Sequence, residues 1–445
     1  MRSFATALLL ACASGFAHAQ HNVLVLLLDD VGVDKISAYA EGLECPPTPN
    51  MDALAQSGVL FRNAWSHPSS SASRAAIFTG RHPFRYGIGY LVTPTAKALP
   101  LGEFLTPELL DAGTGNAWQH AAIGKWHLGN ASTGGPSSAN LSGFGHFSGI
   151  MANIESGYSY YLWPKVVDGL AFDQAKWIVT DQVDDALTFI AGASEPWYCH
   201  VGLFACHAPF SGPPPELHDI DLPPPVGHPP VKPFYDATLQ ATDNEIGRLL
   251  AALGPELLAR TTVVLTAESG SPPEATVAPF VPSHGKLSVY EGGINVPMIV
   301  SGPLVNQPGR ESPHLVHVGD LFNTVLDIAG VNPVPLLPPG HKLDYISLLP
   351  YLLSPAAKAQ RDAIFSEMFI GTDTPPLPPQ AFRAVREAQF KLIVQGIPPH
   401  EEYYDLHADP FELDDLLAPG KPALEPLPAR RYRLVKQVLE STLLN

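Results

Sequence analysis

Ser70-Ser71-Ala72-Ser73-Arg74-Ala75-Ala76-Ile77-Phe78-Thr79-Gly80 runs a cluster of hydroxyls into an arginine, then into small and apolar residues, and stops at Thr-Gly. Such a stretch can set a nucleophilic hydroxyl at the start of a helix, where unpaired amides and the helix dipole attract anions. Its everyday role is a serine cap on a helix that glycine ends, so other residues must decide. Asp29 and Asp30 follow the apolar run Val23–Leu28. Adjacent carboxylates are costly out of water unless a cation neutralises them. A solvated loop start would hold them too, but hard oxygen donors at a strand end suit calcium or magnesium. Lys125 and His127 lie in Gly124-Lys-Trp-His-Leu-Gly129, and glycine on both sides fits a backbone that must approach something closely. His207 follows a second apolar run, Glu268-Ser269 a third, and Lys286 sits on the next loop. Singly these read as surface lysines and satisfied histidines. Together, two lysines, an arginine and two histidines beside carboxylates for a divalent cation would hold and cleave a doubly charged oxyanion ester.

These side chains need a frame that gathers them. Val23–Leu28, Trp197–Ala205 and Thr261–Thr266 are apolar without alternation, the pattern of strands buried on both faces in a parallel sheet. Ligands of open α/β sheets collect at the carboxyl ends of the strands, where Asp29, Asp30, His207 and Glu268 fall. Shorter strands are expected at Val59–Phe61, before Lys125, and at Val296–Ser301. Helices are expected after Thr48-Pro49 up to Ser57-Gly58, from Glu103 to Leu110 with a stop near Gly113, and over Phe172–Ile190. Others are expected over Tyr235–Leu253, stopped by Gly254-Pro255, and over Val316–Ala329. His82-Pro83 reads as a turn, residues 130–165 as a long surface loop, 212–233 as a proline-dense excursion, and 331–361 as loop-rich. Prolines also cluster at 374–379. Strands at Ala363–Glu367 and Lys391–Val394 and an amphipathic helix over Arg430–Leu444 set residues 360–445 apart. The expected fold is α/β: a central, mostly parallel mixed sheet sandwiched by helices over 20–359, with a smaller C-terminal α+β subdomain over 360–445.

The chain has 445 residues, 45% of them hydrophobic and 16% charged, which fits a sizeable core. A formal net charge of −17 argues against non-specific binding to nucleic acid or an anionic membrane surface. Arg2, the apolar run Ala5–Cys12 and Ala17-His18-Ala19 read as an export signal over residues 1–19, with the mature chain starting near Gln20. Leu9-Leu10-Ala11-Cys12 is the lipoprotein alternative. The expected location is therefore periplasmic or secreted, and no later stretch reads as a membrane span. Cys45, Cys199 and Cys206 remain after the signal, with no CxxC pair to suggest a metal cluster. Cys199 and Cys206 read as core thiols.

At this point the chain resembles the sulfatase family of the alkaline-phosphatase-like superfamily, over nearly all of its mature length. Val-Leu-Leu-Leu-Asp29-Asp30 is similar to the family's first metal strand and Thr48-Pro-Asn-Met-Asp-Ala-Leu-Ala to the segment after it. Ser70-x-Ala-Ser73-Arg74 through Thr79-Gly80 resembles the signature Cys/Ser-x-Pro-Ser-Arg…Thr-Gly, and Gly124–Gly129 matches the second signature. Cys206-His207-Ala-Pro209, Lys286 with Glu291-Gly-Gly and Val296-Pro, and Tyr404-Asp-Leu-His-Ala-Asp-Pro with Glu412 resemble later blocks in the same order. The resemblance implies that Ser70 is oxidised to formylglycine by a maturation enzyme. It implies an attack on sulfur by the hydrated aldehyde, helped by Arg74 and the metal. His207 with Lys286 would protonate the leaving oxygen, Lys125 would hold the sulfate, and His127 would deprotonate the remaining hydroxyl to expel sulfate. Calcium, or magnesium, would be held by Asp29, Asp30 and the side chain at 70, with Glu268 and Ser269 in the remaining ligand positions. The chain departs from the pattern at Ala72 for proline, at Glu268-Ser269 for Asp-Asn, and at Asn295 for arginine.

Three functions compete on these residues. One is a sulfuric ester hydrolase acting on a sulfated small molecule or glycan. Another is a phosphate or phosphonate ester hydrolase with unmodified Ser70 as nucleophile, because sulfate leaves a serine adduct poorly. The third is a non-catalytic binding protein on the same scaffold, which the Glu268-Ser269 pair favours and Lys125, His127, His207 and Lys286 oppose.

Overall fold

The computed structural model describes residues 21–224, 229–370 and 381–444. The expected leader and the prolines at 374–379 lie outside the described residues. Ten strands of the described chain form one sheet: β1 Asn22–Leu28, β2 Gly58–Trp65, β3 Gln119–Lys125, β4 His146–Ile150, β5 Trp163–Val167, β6 Leu170–Gln174, β7 Trp197–Gly202, β8 Thr261–Ala267, β9 Met298–Ser301 and β10 Arg310–His317. Their order is β10-β2-β9-β8-β1-β7-β3-β4-β5-β6. β1 runs parallel to both β7 and β8, and β3 runs parallel to β7 and β4. β9 and β5 are antiparallel to their neighbours, which makes the sheet mixed.

The continuous apolar run of β1 is explained by its place between β7 and β8. Val23 through Leu28 are all fully buried, and each such side chain contributes roughly 1.5–3 kcal/mol of transfer free energy. Leu28 pairs with Ala267 across the ladder, so the next residues, Asp29 and Glu268, emerge side by side. Helices flank the sheet in two groups. Pro49–Gln56 and Ile178–Gly192 both pack on Val231–Leu258, and Ser70–Thr79 and Thr106–Thr114 both pack on Asp320–Ile328. Gly254 breaks the long Val231–Leu258 helix with φ 70 and ψ 166, ahead of Pro255. This is the α/β sandwich expected from the apolar runs.

Several boundaries differ from expectation, each for a local reason. Residues 130–165 are not one surface loop, since β4 pairs with β3 and β5 begins at Trp163. The expected helix over Phe172–Ile190 starts only at Ile178, because β5 and β6 form a hairpin closed by Asp168-Gly169 at φ 44 and 84. Positive φ at both central residues is what an Asp-Gly hairpin turn demands. The helix expected from Val316 starts at Asp320, whose Oδ2 accepts the His317 amide at 2.8 Å, and Arg310–His317 is the edge strand β10. Thr106–Thr114 replaces the helix expected from Glu103. Glu108 Oε2 accepts the Leu105 amide at 2.8 Å, and the left-handed stop is Gly115 rather than Gly113. His82-Pro83 begins a single helical turn, Pro83–Tyr86, and the strand expected from Val296 is confined to Met298–Ser301.

A second sheet, antiparallel, is built from β11 Ile364–Phe369, β12 Ala381–Arg386, β13 Phe390–Gln395 and β14 His400–Asp405. The helix Pro426–Leu444 covers it through Val435 and Leu439. Where β11 meets the main body, three buried histidines surround one tyrosine. His67 Nε2 and His82 Nδ1 are hydrogen-bonded to the Tyr345 hydroxyl at 2.9 and 3.0 Å, and the His317 ring stacks on Tyr345. Burial holds all three imidazoles below their ordinary range, His82 down to about 4.

A depressed imidazole gives stability that is present above the unfolded value near 6.5 and is lost as pH falls toward the folded value. For His82 alone the loss is about 3 kcal/mol between those limits. We expect the melting temperature to fall from pH 6.5 toward pH 4, and to fall less steeply in His82→Asn. Equal slopes for parent and variant in thermal melts across this range would refute it.

Candidate active site

The residues singled out from sequence meet at the carboxyl edge of the main sheet. Asp29 and Asp30 leave β1, Lys125 ends β3, His207 follows β7, and Glu268 and Ser269 leave β8. Ser70 is the first residue of its helix, Ser69 the cap, and the stop is left-handed Gly80 with φ 67. Arg74, one turn on, donates from Nε to Ser70 Oγ at 3.0 Å, from a terminal nitrogen to the Lys125 carbonyl at 2.7 Å, and toward Asp29 Oδ2 at 3.4 Å. Lys125 Nζ donates to the same Asp29 oxygen at 2.6 Å. His127 Nδ1 lies 3.3 Å from Ser70 Oγ. Lys286 Nζ donates to Asp30 Oδ2 at 2.6 Å and Ser269 Oγ to Asp30 Oδ1 at 3.1 Å. Glycine at 124 is required here, because a Cβ would lie 2.1 Å from the Gly202 carbonyl.

Ser70, Asp29 and Glu268 are sealed from water, while the His207 and Lys286 side chains keep 13% and 12% of their exposure. A ligand therefore enters past these two. The His207 ring donates from Nδ1 to the Ala208 carbonyl at 2.7 Å, which leaves Nε2 turned toward Asp30 at 4.0 Å. Burial, then Lys125, push His207 down to about 4 and His127 well below its ordinary range, so both are neutral bases at pH 7. Burial works against the Lys286 ammonium, but Asp30, Glu268 and Asp29 together more than offset it and raise that group. Burial would raise the Asp29 carboxyl; Lys125, then a hydrogen bond shared with Glu268, with Arg74 behind them, hold it well below the usual range. The opposite holds for Glu268, which burial and the neighbouring Asp29 charge push well up.

Sequence reasoning missed the residues that hold these groups. Asp30 and His127 sit in the left-handed region at φ 62 and 58, and Leu287, next to Lys286, at φ 67. Such backbone is rare without glycine and persists where its surroundings enforce it. Tyr235 donates its hydroxyl to the Asp30 carbonyl at 2.7 Å, and Tyr160 donates to the His207 carbonyl. Neither tyrosine stands in a motif, so only the fold reveals them.

The sulfatase family model matches residues 21–331, which include every residue named above. The chain belongs to the sulfatase family. A second model, N-sulphoglucosamine sulphohydrolase C-terminal, matches 283–435. An uncharacterised sulfatase of Escherichia coli is 28% identical over 72% of the chain, and the N-acetylgalactosamine-6-sulfatase of Homo sapiens is 29% identical over 75%. The chain spans 59% of the first relative's length and 66% of the second's. A protein solved in complex with its substrate D-glucosamine-2-N,6-O-disulfate shares the fold at a TM-score of 0.71, with 22% identity over 95% of this chain and 97% of that one.

Against the sulfatase pattern, Ala72 is buried in the helix and its carbonyl accepts the Tyr86 hydroxyl at 3.1 Å. Asn295 accepts the Ala64 amide at 3.2 Å and donates to the Arg62 carbonyl at 3.3 Å, so it continues the edge of β2. The donor set suits a hard divalent cation despite the Glu268-Ser269 pair. Among the described residues, Asp29 Oδ1 and both Glu268 oxygens are buried and take no hydrogen bond from an amine, amide or alcohol group, and Asp29, Asp30 and His207 each bring a ligand atom within 4.8 Å of the others.

A buried carboxyl pushed upward costs stability increasingly as pH rises above its unfolded value near 4.5. In chelator, Glu268→Gln should therefore melt higher than the parent, and the gap should widen from pH 5 to pH 8. A parent that melts higher than the variant at pH 8 would sink this account of the Asp29–Glu268 pair.

Proposed function

We propose that this sulfatase-family chain hydrolyses sulfuric esters at residue 70. The observation that carries the reading is the environment of Ser70 Oγ: Arg74 Nε donates to it at 3.0 Å and the neutral His127 stands at 3.3 Å, in a buried site with Lys125, and with the partly exposed Lys286 at its entrance. A sulfate ester brings negative charge to non-bridging oxygens, and preorganised cations out of water stabilise it strongly. We also propose that Ser70 is oxidised to formylglycine by a maturation enzyme, giving a hydrated aldehyde with one hydroxyl to attack and one to expel sulfate. Asp29, Asp30 and Glu268, with residue 70 and Ser269, would hold calcium, or magnesium, which would polarise the sulfate oxygens.

The chain's own groups supply the rest. Arg74 and Lys125 orient the sulfate and balance its charge. As the bond from sulfur to the organic oxygen breaks, the His207–Lys286 pair supplies the proton, Lys286 being the member charged at neutral pH. His127 takes the proton from the remaining hydroxyl at residue 70. A sulfated sugar is the proposed substrate class, supported by the named substrates of the human relative and the solved neighbour. Residues 1–19 support export to the periplasm or beyond. Among the described residues no helix is long and apolar enough to cross a membrane.

Mass spectrometry of the Ser70 peptide from active protein should find it lighter by two hydrogens, or hydrated. Lys125→Ala and His207→Ala should each lower turnover of 4-nitrophenyl sulfate by about 10²–10⁴-fold while the fold is kept. Unmodified serine in protein that prefers 4-nitrophenyl phosphate would establish the phosphate-ester reading instead, and loss of neither activity in the variants would remove these roles.

A further inference from the structure

We propose that Ser271 and Asp34 are positioning residues, a buried hydroxyl–carboxylate latch that fixes Asp30 and Lys286 relative to one another for cation and ester; the ester part rests on the sulfatase reading. Ser271 lies on the loop after β8, two residues beyond Ser269, and is fully buried, as is Asp34 to within 3%. Its hydroxyl accepts the Gly32 amide at 3.1 Å and donates to Asp34 Oδ1 at 2.7 Å. Asp34 Oδ2 accepts the Val277 amide at 3.2 Å, which ties the same loop a second time between Ser271 and Lys286. The Ser271 carbonyl accepts the Lys286 amide at 2.9 Å. One residue thus joins the backbone that follows Asp30 to the backbone that carries Lys286.

The consequence falls on Asp30. Its carboxylate is oriented by two donors, Ser269 Oγ and Lys286 Nζ; the Lys286 backbone is bonded to Ser271, and Ser269 stands two residues before it. Its own backbone is held at φ 62, with Tyr235 bonded to its carbonyl. The loops approach so closely that a Cβ at Gly32 would lie 2.5 Å from Asp34 Oδ1. Hydrogen-bond partners behind a metal ligand preset its orientation, and their loss commonly weakens metal binding by 10–100-fold. A left-handed ligand residue with two charged and polar donors is a position where such presetting matters.

The test uses the full chain stripped with EDTA and titrated with calcium by calorimetry, alongside turnover of 4-nitrophenyl sulfate. Ser271→Ala should weaken calcium binding about tenfold and lower kcat, and Ser271→Thr, which keeps the hydroxyl, should return affinity to within about threefold of the parent. Thr324→Ala serves as the structural control. It removes a buried hydroxyl that donates to the Asp320 carbonyl and accepts the Leu348 amide, and it should leave calcium affinity unchanged. If Ser271→Ala does not fold, Asp34→Asn gives the answer, with the same direction expected. Parent-like affinity in the folded latch variants, equal weakening in Thr324→Ala, or a parent that takes up no calcium would overturn the proposal. A parent that binds calcium but cleaves no sulfate ester would defeat the sulfatase reading while leaving the latch to be judged on affinity alone.

Discussion

Lys125 and Arg74 both reach Asp29, and that pairing is what allows the carboxyl edge of the sheet to be buried at all. Charges taken out of water cost several kcal/mol each unless they are matched and hydrogen-bonded. Here the matching is spatial as well as electrical. Lys125 arrives from β3 and Arg74 from the Ser70 helix, and Asp29 comes from β1, two strands from β3. The Arg74 guanidinium spans the gap by binding both the Lys125 carbonyl and Ser70 Oγ. The salt bridge therefore fixes the helix start against the sheet. It acts with the Ser71 hydroxyl, which donates to the His127 carbonyl at 2.8 Å, to place the hydroxyl at residue 70 relative to the cations.

The second carboxylate pair is deliberately unbalanced. Asp30 has its own cation in Lys286, but among the described residues Glu268 takes no hydrogen bond from an amine, amide or alcohol group and is sealed beside Asp29. A fold selected for stability alone would fill such a position with an apolar or amide side chain. The imbalance makes sense as the place where a divalent ion completes the charge set. Glutamate reaches one methylene further than the aspartate of the sulfatase pattern, and Ser269 spends its hydroxyl on Asp30.

How much of this was legible in the chain depended on the range of the interaction. Val23–Leu28 and Thr261–Thr266 announce buried parallel strands because every residue faces protein, and so Asp29 and Glu268 could be placed at one edge. The hairpin of β5 and β6 was hidden because β6 is exposed along most of its length and buries neither face, so its Leu170-Ala171-Phe172 does not alternate as a half-buried strand, although Asp168-Gly169 was an available turn signal. β10 was hidden because it is an edge strand with a register shift between Ser312 and Leu315 around Pro313. The site residues stood out by type and order. Their supports did not: Tyr235, Ser271 and Asp34 act through contacts made 200 or more positions apart in the chain, between residues of unremarked type.

The small sheet belongs to the same physical problem. Glu291, five residues beyond Lys286, is buried between the two sheets and accepts from Trp65 Nε1 at 3.1 Å, Arg386 at 3.0 Å and Lys391 at 3.1 Å. Trp65 ends β2, and Arg386 and Lys391 belong to β12 and β13, so one carboxylate binds three strands from two sheets. Burial would raise the Glu291 carboxyl, and Lys391 with Arg386 hold it below its ordinary value, which keeps the anion in place. The Lys286 loop is thus anchored at its far end by the small sheet and at its near end by Ser271. A lysine that must stay charged for the proposed chemistry, only 12% exposed and bonded to a strained Asp30, cannot rest on a free loop. Fixing both ends of that loop gives the C-terminal sheet a part in the proposed chemistry although none of its described side chains lies among the residues around Ser70.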